Sequence, residues 1–214
     1  MSEVIMVVPV KPFSQAKTRL SAVLSPAQRA QLARALYLHV LSVLERCRFK
    51  RRSLVVSRDL EALELASAHG AHRLRDITSG PNEAIHQGID WARNHWQANT
   101  VCIVPTDLPF LSPEDLDAIV ALATGPKVAV LAPSHSGGTN PLLMRPAGAF
   151  TCGYGPPGSL ARHKAAAQAA GLTVHLYQSR GTAIDLDDPR DLELVRTAGA
   201  LPPALAALPF LERP

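Results

Sequence analysis

VIMVVPVKPFSQAKTRL, residues 4–20, divides into two parts of opposite character. The first is a short apolar run, rich in Val and Ile, that ends at Pro9. Runs of this length and composition read as buried strands. The second carries Lys11, Lys17 and Arg19 and no acidic residue. In a parallel sheet, ligands gather at the carboxyl ends of the strands. A basic loop straight after a buried strand therefore predicts a phosphate-binding loop at the start of the chain. The competing reading is a solvated loop with ordinary surface cations.

Downstream of this loop the pattern repeats strand, helix, strand. Ser25-Pro26-Ala27-Gln28 predicts a helix start, with a capping hydroxyl, a proline at the first helical position and a glutamine placed to close a capping box. Leu32, Leu36, Val40 and Leu44 then mark one helical face. The basic run Arg46–Arg52 suits the negative end of that helix. It lacks the aromatic ladder of a nucleic-acid surface. Leu54–Ser57 reads as a second strand and Glu61–His69 as a helix stopped by Gly70. Residues 71–80 read as an irregular link. A helix follows from Asn82, with Ile85, Ile89, Ala92 and Trp96 on one face. Val101–Val104 is a third strand, Ser112-Pro113 with Asp115 a further helix start, and Val128–Ala132 a fourth strand. This alternation predicts right-handed βαβ units and a parallel sheet flanked by helices. After residue 133 the pattern loosens: a short strand at Leu142–Met144, a helix from Ser159 to Ala170, a strand at Val174–Leu176, the segment Ile184–Asp187, and a helix from Pro189 to about Ala198. The tail from Leu201 has four prolines in 14 residues and reads as a poorly ordered wrap.

With 214 residues, 47% apolar and 19% charged, the chain supports one globular domain over 1–214. A net charge of +4 permits an anionic ligand without requiring nucleic acid. Cys47, Cys102 and Cys152 are odd in number and form no CxxC pair, which argues against a disulfide framework or zinc site and for a cytoplasmic setting. No signal peptide is visible, and no apolar run approaches membrane-spanning length.

Asp107 is the foremost chemical candidate. It stands just past a fully apolar strand, where a carboxylate is a natural ligand for magnesium. Its competing role, helix capping, already falls to Ser112. Asp185 and Asp187, two residues apart, would share one face of a strand, whereas Asp188 fits a helix start before Pro189. Gly137-Gly138-Thr139-Asn140 reads either as a second anion loop, with backbone N–H groups turned inward, or as a plain turn. Gly153-Tyr154-Gly155-Pro156-Pro157-Gly158 matches GxGxxG, but the prolines, the late position and the lack of a strong preceding strand exclude a dinucleotide fingerprint. Ser159 is placed to cap a helix whose first turns carry Arg162, His163 and Lys164, a suitable anion site. No GxSxG, Walker A or HExxH motif is present, and the histidines form no metal-ligand pattern.

The segments PVKPFSQAKTRL, PTDLP at 105–109, GTN at 138–140, GPPGSLARH at 155–163 and IDLDDPRDL at 184–192 occur in this order in the guanylyltransferases of coenzyme F-420 biosynthesis, which the chain resembles over residues 4–198. The resemblance implies a Rossmann-like nucleotidyltransferase fold and transfer of GMP from GTP to a small phospho-acid, with release of pyrophosphate. The acceptors it implies are 2-phospho-L-lactate, phosphoenolpyruvate and 3-phospho-D-glycerate. It implies magnesium on Asp107 and Asp185, phospho-acid contacts at Thr139, Gly155 and Ser159, and nucleotide contacts at Lys11, Lys17, Arg19 and Asn82. The resemblance implies catalytic roles for Lys17, Arg19 and Asp107. The chain departs from the family where Pro157 and Gly158 both precede the serine and where Pro81 precedes Asn82. The longer loop favours 3-phospho-D-glycerate, whose extra hydroxyl needs room. A homodimer is compatible with this reading, as is handing the product to the next enzyme of the pathway; no nucleic acid or membrane partner is expected. The rival readings are a nucleotidyltransferase for a molybdopterin or sugar-phosphate acceptor, and a non-enzymatic nucleotide- or RNA-binding module built on Arg46–Arg52.

Overall fold

The apolar start of the chain forms β1 (Val4–Val10), the centre of the parallel half of the sheet. The computed structural model describes residues 3–49, 51–155 and 158–211. On one side β1 pairs in parallel with β2 (Arg51–Ser57) along its whole length. On the other it pairs with β4 (Val101–Ile103) only over Ile5–Val7. Pro9 thus lies beyond the two-sided part of the ladder, where a missing N–H is tolerated. With β3 (His72–Arg75), β5 (Val128–Pro133), β6 (Thr139–Arg145) and β7 (Thr173–Leu176), the strand order is β3-β2-β1-β4-β6-β5-β7. Every neighbouring pair is parallel except those of β6, which runs antiparallel to both β4 and β5. The expected fold class holds: a mostly parallel α/β sheet flanked by helices.

Alternate residues of β1 feed two cores. Val4, Met6, Val8 and Val10 pack with α1 (Pro26–Arg46), α2 (Leu60–Ala68) and α4 (Pro113–Leu122). Ile5 and Val7 face α3 (Pro81–Trp96) and α5 (Ser159–Ala169). The period of two in a strand assigns the faces. Gly88 lets α3 sit close to the sheet, for a Cβ there would lie 2.8 Å from Val7 Cγ1 and from Val56 Cγ2.

The capping boxes at Ser25/Gln28 and Ser112/Asp115 form as their spacing predicts. Four expectations are corrected. Residues 71–80 contain β3, a polar edge strand whose exposed side chains give no apolar signal; its backbone pairing with β2 makes it a strand. The second strand starts at Arg51, so the basic run is split between a helix end and a strand. Its arginines have protein partners: Arg48 with Asp117, Arg51 with the Cys47 carbonyl, and Arg52 with Glu3 and the Trp96 ring. The short strand at Leu142–Met144 extends to 139–145 and is reversed. The proline-rich tail is ordered over 201–211: α8 (Pro203–Ala206) and a 3-10 turn bury Leu205 and Leu211 in a third cluster, with Leu20, Leu32 and Leu36. Also in this cluster are Leu186 and, from α7 (Pro189–Thr197), Leu192 and Val195.

Candidate active site

A cavity of about 540 Å³ opens where the carboxyl ends of β1 and β4 meet the amino end of β6 and the start of α5. Lys11, Lys17, Arg19, Asp107, Thr139, Gly155, Ser159 and Asp185 line it; Asn82, Gly137 and the Arg162–Lys164 segment do not. The Asn82 amide instead donates to the Tyr154 carbonyl at 2.9 Å and accepts the Tyr154 N–H at 2.8 Å, clamping the segment that leads to Gly155. Lys11 borders the cavity beside the end of β1.

Lys17 lies between two 3-10 turns with φ 54, in the left-handed region. A non-glycine residue held there is under strain, and such strain concentrates at functional sites. Its ammonium is 2.9 Å from Asp187 Oδ1 and 3.5 Å from Asp107 Oδ2, and its side chain is only 9% exposed. Burial alone would lower the Lys17 pKa, but the charges of Asp107 and Asp187 outweigh it and hold the ammonium above its ordinary value. Arg19 Nη1 stands 3.8 Å from Asp187 Oδ2. Burial tends to raise Asp187, yet Lys17, Arg19 and Lys11 bring its pKa below the ordinary value.

Asp107 and Asp185 differ from Asp187. The Oδ1 atom of each is buried without a hydrogen-bond partner. Burial, then the charge of Asp107, then that of Asp187 push Asp185 up to about 6. Asp107 is raised by burial and by Asp187, against the opposing pull of Lys17. The expected strand at 184–187 is not present. A short helix, α6 (Arg180–Ala183), leads into an extended segment with no ladder partner. That segment is pinned by the Leu186 N–H to the Asp107 carbonyl at 2.9 Å and by the buried Leu186 side chain. Alternation about Leu186 still turns both neighbouring aspartates to the cavity.

On the far side, the glycine turn 137–139 decides between the two readings the sequence left open. The Gly137, Gly138 and Thr139 N–H groups donate to the Ser134 carbonyl, Ser134 Oγ and Ser159 Oγ, so none is presented to a ligand. The turn reading holds for the backbone, and the Thr139 side chain is what faces the cavity. Ser159 does not cap α5. It is the first helical residue, Gly158 is the N-cap at φ 84, and Ser159 Oγ accepts from Thr139. Of the inserted loop, Pro156 and Pro157 lie outside the described residues.

Magnesium fits this donor set in a limited sense. Two half-buried carboxylates, each with a buried oxygen that accepts no hydrogen bond, suit an ion that takes one or two carboxylates and completes its shell with water and substrate phosphates. No group of three or more His, Cys, Asp or Glu side chains gathers as a metal site among the described residues.

Residues 4–200 match the family model described as "Guanylyl transferase CofC like". The chain belongs to this guanylyl transferase family. Among its CofC-like relatives, the phosphoenolpyruvate guanylyltransferase of Sphaerobacter thermophilus is 39% identical, over 88% of this chain and 90% of that protein. The 3-phospho-D-glycerate guanylyltransferase of Phenylobacterium zucineum is 35% identical, over 82% of each. The 2-phospho-L-lactate guanylyltransferase of Methanothermobacter thermautotrophicus is 34% identical, over 87% and 81%. The fold is similar to that of 4-diphosphocytidyl-2C-methyl-D-erythritol synthase, with a TM-score of 0.62 at 16% identity over 91% and 96% of the two chains.

Reading the CofC-like motifs in sequence did not find His135 and Asp191, which hold the acidic segment in place. His135 donates its backbone N–H to the Ala183 carbonyl at 2.8 Å, and its ring reaches Asp191 Oδ1 at 3.1 Å. Asp191 Oδ2 accepts the N–H groups of Asp187 and Asp188, both at 2.9 Å. The Asp188/Asp191 capping box was a usable signal for Asp191; nothing in the local sequence marked His135.

Proposed function

We propose that the protein transfers GMP from GTP to the phosphate of a three-carbon phospho-acid and releases pyrophosphate, a step of coenzyme F-420 biosynthesis. The observation that supports this reading is one cavity lined by two kinds of group. The cations Lys11, Lys17 and Arg19 line one side, and the hydroxyls of Thr139 and Ser159 line the other, with Asp107 and Asp185 in the same wall. A phosphate oxygen of the acceptor attacks the α-phosphorus of GTP. The bond from that phosphorus to the bridging oxygen breaks, and pyrophosphate leaves with the electron pair. The attacking oxygen is already anionic near pH 7, so no general base is needed, and catalysis reduces to positioning and charge neutralisation. Lys17 and Arg19 neutralise charge on the departing pyrophosphate. Thr139, Gly155 and Ser159 orient the acceptor. Magnesium held by Asp107 and Asp185 would supply further neutralisation of phosphate charge.

The lengthened loop argues for 3-phospho-D-glycerate. The higher identity to a phosphoenolpyruvate enzyme argues for phosphoenolpyruvate. Three buried, unpaired cysteines support a cytoplasmic setting, and no helix among the described residues is long and apolar enough to cross a membrane. Handing the product to the next enzyme, and a homodimeric state, belong to the same proposal. The test is to incubate the protein with GTP and magnesium, offer each phospho-acid separately, and follow pyrophosphate release with the next pathway enzyme present. Release that depends on a three-carbon phospho-acid supports the proposal. Release only with a molybdopterin or sugar-phosphate acceptor, or none at all, refutes it.

A further inference from the structure

A chain of hydrogen bonds fixes the proton positions on the Thr139 side of the cavity. The backbone N–H of Gly153 donates to His163 Nε2 at 2.8 Å. A peptide N–H can only donate, so Nε2 carries no proton there. His163 is 1% exposed, and burial, followed by the nearby Arg162 charge, holds its pKa down to about 4. The ring is therefore neutral at pH 7, and its one proton is on Nδ1. Nδ1 lies 2.9 Å from Thr139 Oγ1, so the ring donates and the threonine accepts. Ser159 Oγ accepts the Thr139 N–H at 2.9 Å, and its own hydroxyl points to Thr139 Oγ1 at 3.4 Å. The His163 bond thus takes one lone pair of Thr139 Oγ1, and the longer Ser159 contact approaches the same oxygen. Its proton has no acceptor among the described residues, and Thr139 lines the cavity.

We infer that His163, which lies behind the cavity wall, sets the polarity of the acceptor subsite by compelling Thr139 to present a hydroxyl donor to an anionic phosphate or carboxylate oxygen. This rests on the reading of Thr139 and Ser159 as acceptor contacts. His163 is a positioning residue: it acts through Thr139. The arrangement favours ligand atoms that only accept and disfavours hydroxyl or amine groups that would need to donate to Thr139.

Two amide replacements separate the two ends of the ring. His163→Asn retains an N–H group near Nδ1 and gives up the acceptor for Gly153. His163→Gln retains a carbonyl near Nε2 and gives up the donor to Thr139. With the preferred phospho-acid, His163→Gln is expected to raise the acceptor KM about tenfold or more, the scale of losing a hydrogen bond to a charged group. His163→Asn is expected to raise it clearly less, and the KM for GTP should stay near wild type in both. An unchanged acceptor KM in His163→Gln, or a GTP KM that rises in parallel, overturns the inference. Nitrogen-detected imidazole NMR of the wild-type protein reads the tautomer directly, independent of how the variants fold. A proton on Nδ1 is expected; a proton on Nε2, or a charged ring at pH 7, overturns it. Absence of wild-type turnover with every phospho-acid refutes the cavity reading as well. Wild-type turnover with His163→Gln indistinguishable from it refutes the inference alone.

Discussion

Replacing Asp185 by asparagine should make the metal-free protein more stable while removing activity. The Asp185 carboxyl is pushed up to about 6 from an ordinary 3.8, and its side chain is 17% exposed, so screening by solvent is modest. Because the folded-state pKa is the higher one, the folded protein binds more protons than the unfolded chain between about pH 4 and 6. Stability therefore falls as pH rises through that window, and the full penalty is present above it. At roughly 1.4 kcal/mol per tenfold change, the penalty is about 3 kcal/mol. Asparagine has no charge to desolvate or to repel Asp107 and Asp187, so most of that penalty should disappear at pH 8. For a chain of this size the gain corresponds to a rise in melting temperature on the order of 5–10 °C. The assay is a pair of thermal melts, wild type and Asp185→Asn, in EDTA at pH 8 and pH 4.5. The variant should be the more stable at pH 8, and the gap should narrow to about a third at pH 4.5, where the folded wild-type carboxyl is protonated and the unfolded one still mostly ionised. A variant no more stable than wild type at pH 8, or a gain of equal size at both pH values, would refute the reasoning.

Asp107→Asn should abolish product formation and leave the fold intact, checked by pyrophosphate release alongside circular dichroism; near-normal activity would sink the metal assignment. Lys17→Met should raise the KM for GTP and lower kcat. It should also destabilise the protein by about 2–4 kcal/mol, because Asp107 and Asp187 lose the ammonium between them; urea titration reads the second effect. Gly88→Ala should cost about 1–3 kcal/mol through its contact with Val7 and Val56, with GTP and acceptor KM values near wild type if the sheet only shifts locally. Chelation of divalent cations should stop turnover, and magnesium should restore it; turnover unaffected by EDTA would count against a two-carboxylate magnesium site.

Local signals in the sequence carried far. The capping boxes at Ser25 and Ser112 depend on neighbours three residues away, and each formed as the spacing requires. The apolar runs of β1, β4 and β5 were legible because strands buried on both faces need continuous Val, Ile and Leu. What escaped depends on distant partners. His72-Arg73-Leu74-Arg75 is a strand because β2 offers it a backbone, and its side chains do not advertise that. Ser159 stands where a cap would be expected, but its hydroxyl is engaged by Thr139, twenty residues earlier. The amides of Gly137 and Gly138 are oriented by Ser134, which no motif included. Asp185 and Asp187 share a direction for a reason the sequence only half contained: the alternation is local, but the anchor is the Asp107 carbonyl. His135 reaches its partners across about fifty residues, and no single-sequence pattern predicts such a contact.

The reversal of β6 has a consequence for how this scaffold can diversify. A purely parallel sheet gathers its ligand contacts at one kind of strand end, each followed by a crossover helix that also builds the core. Turning one strand around brings a strand beginning, Thr139, to the same rim as the ends of β1 and β4. The turn that precedes Thr139 joins two hydrogen-bonded strands directly, with no crossover helix between them, so apart from His135, which bonds Ala183 and Asp191, it is not tied to a core-building helix. On the proposed reading, the parallel half that carries Lys17 and Asp107 can stay constant while the rim built from β6 and α5 is rewritten. This is an architecture suited to one donor and many acceptors.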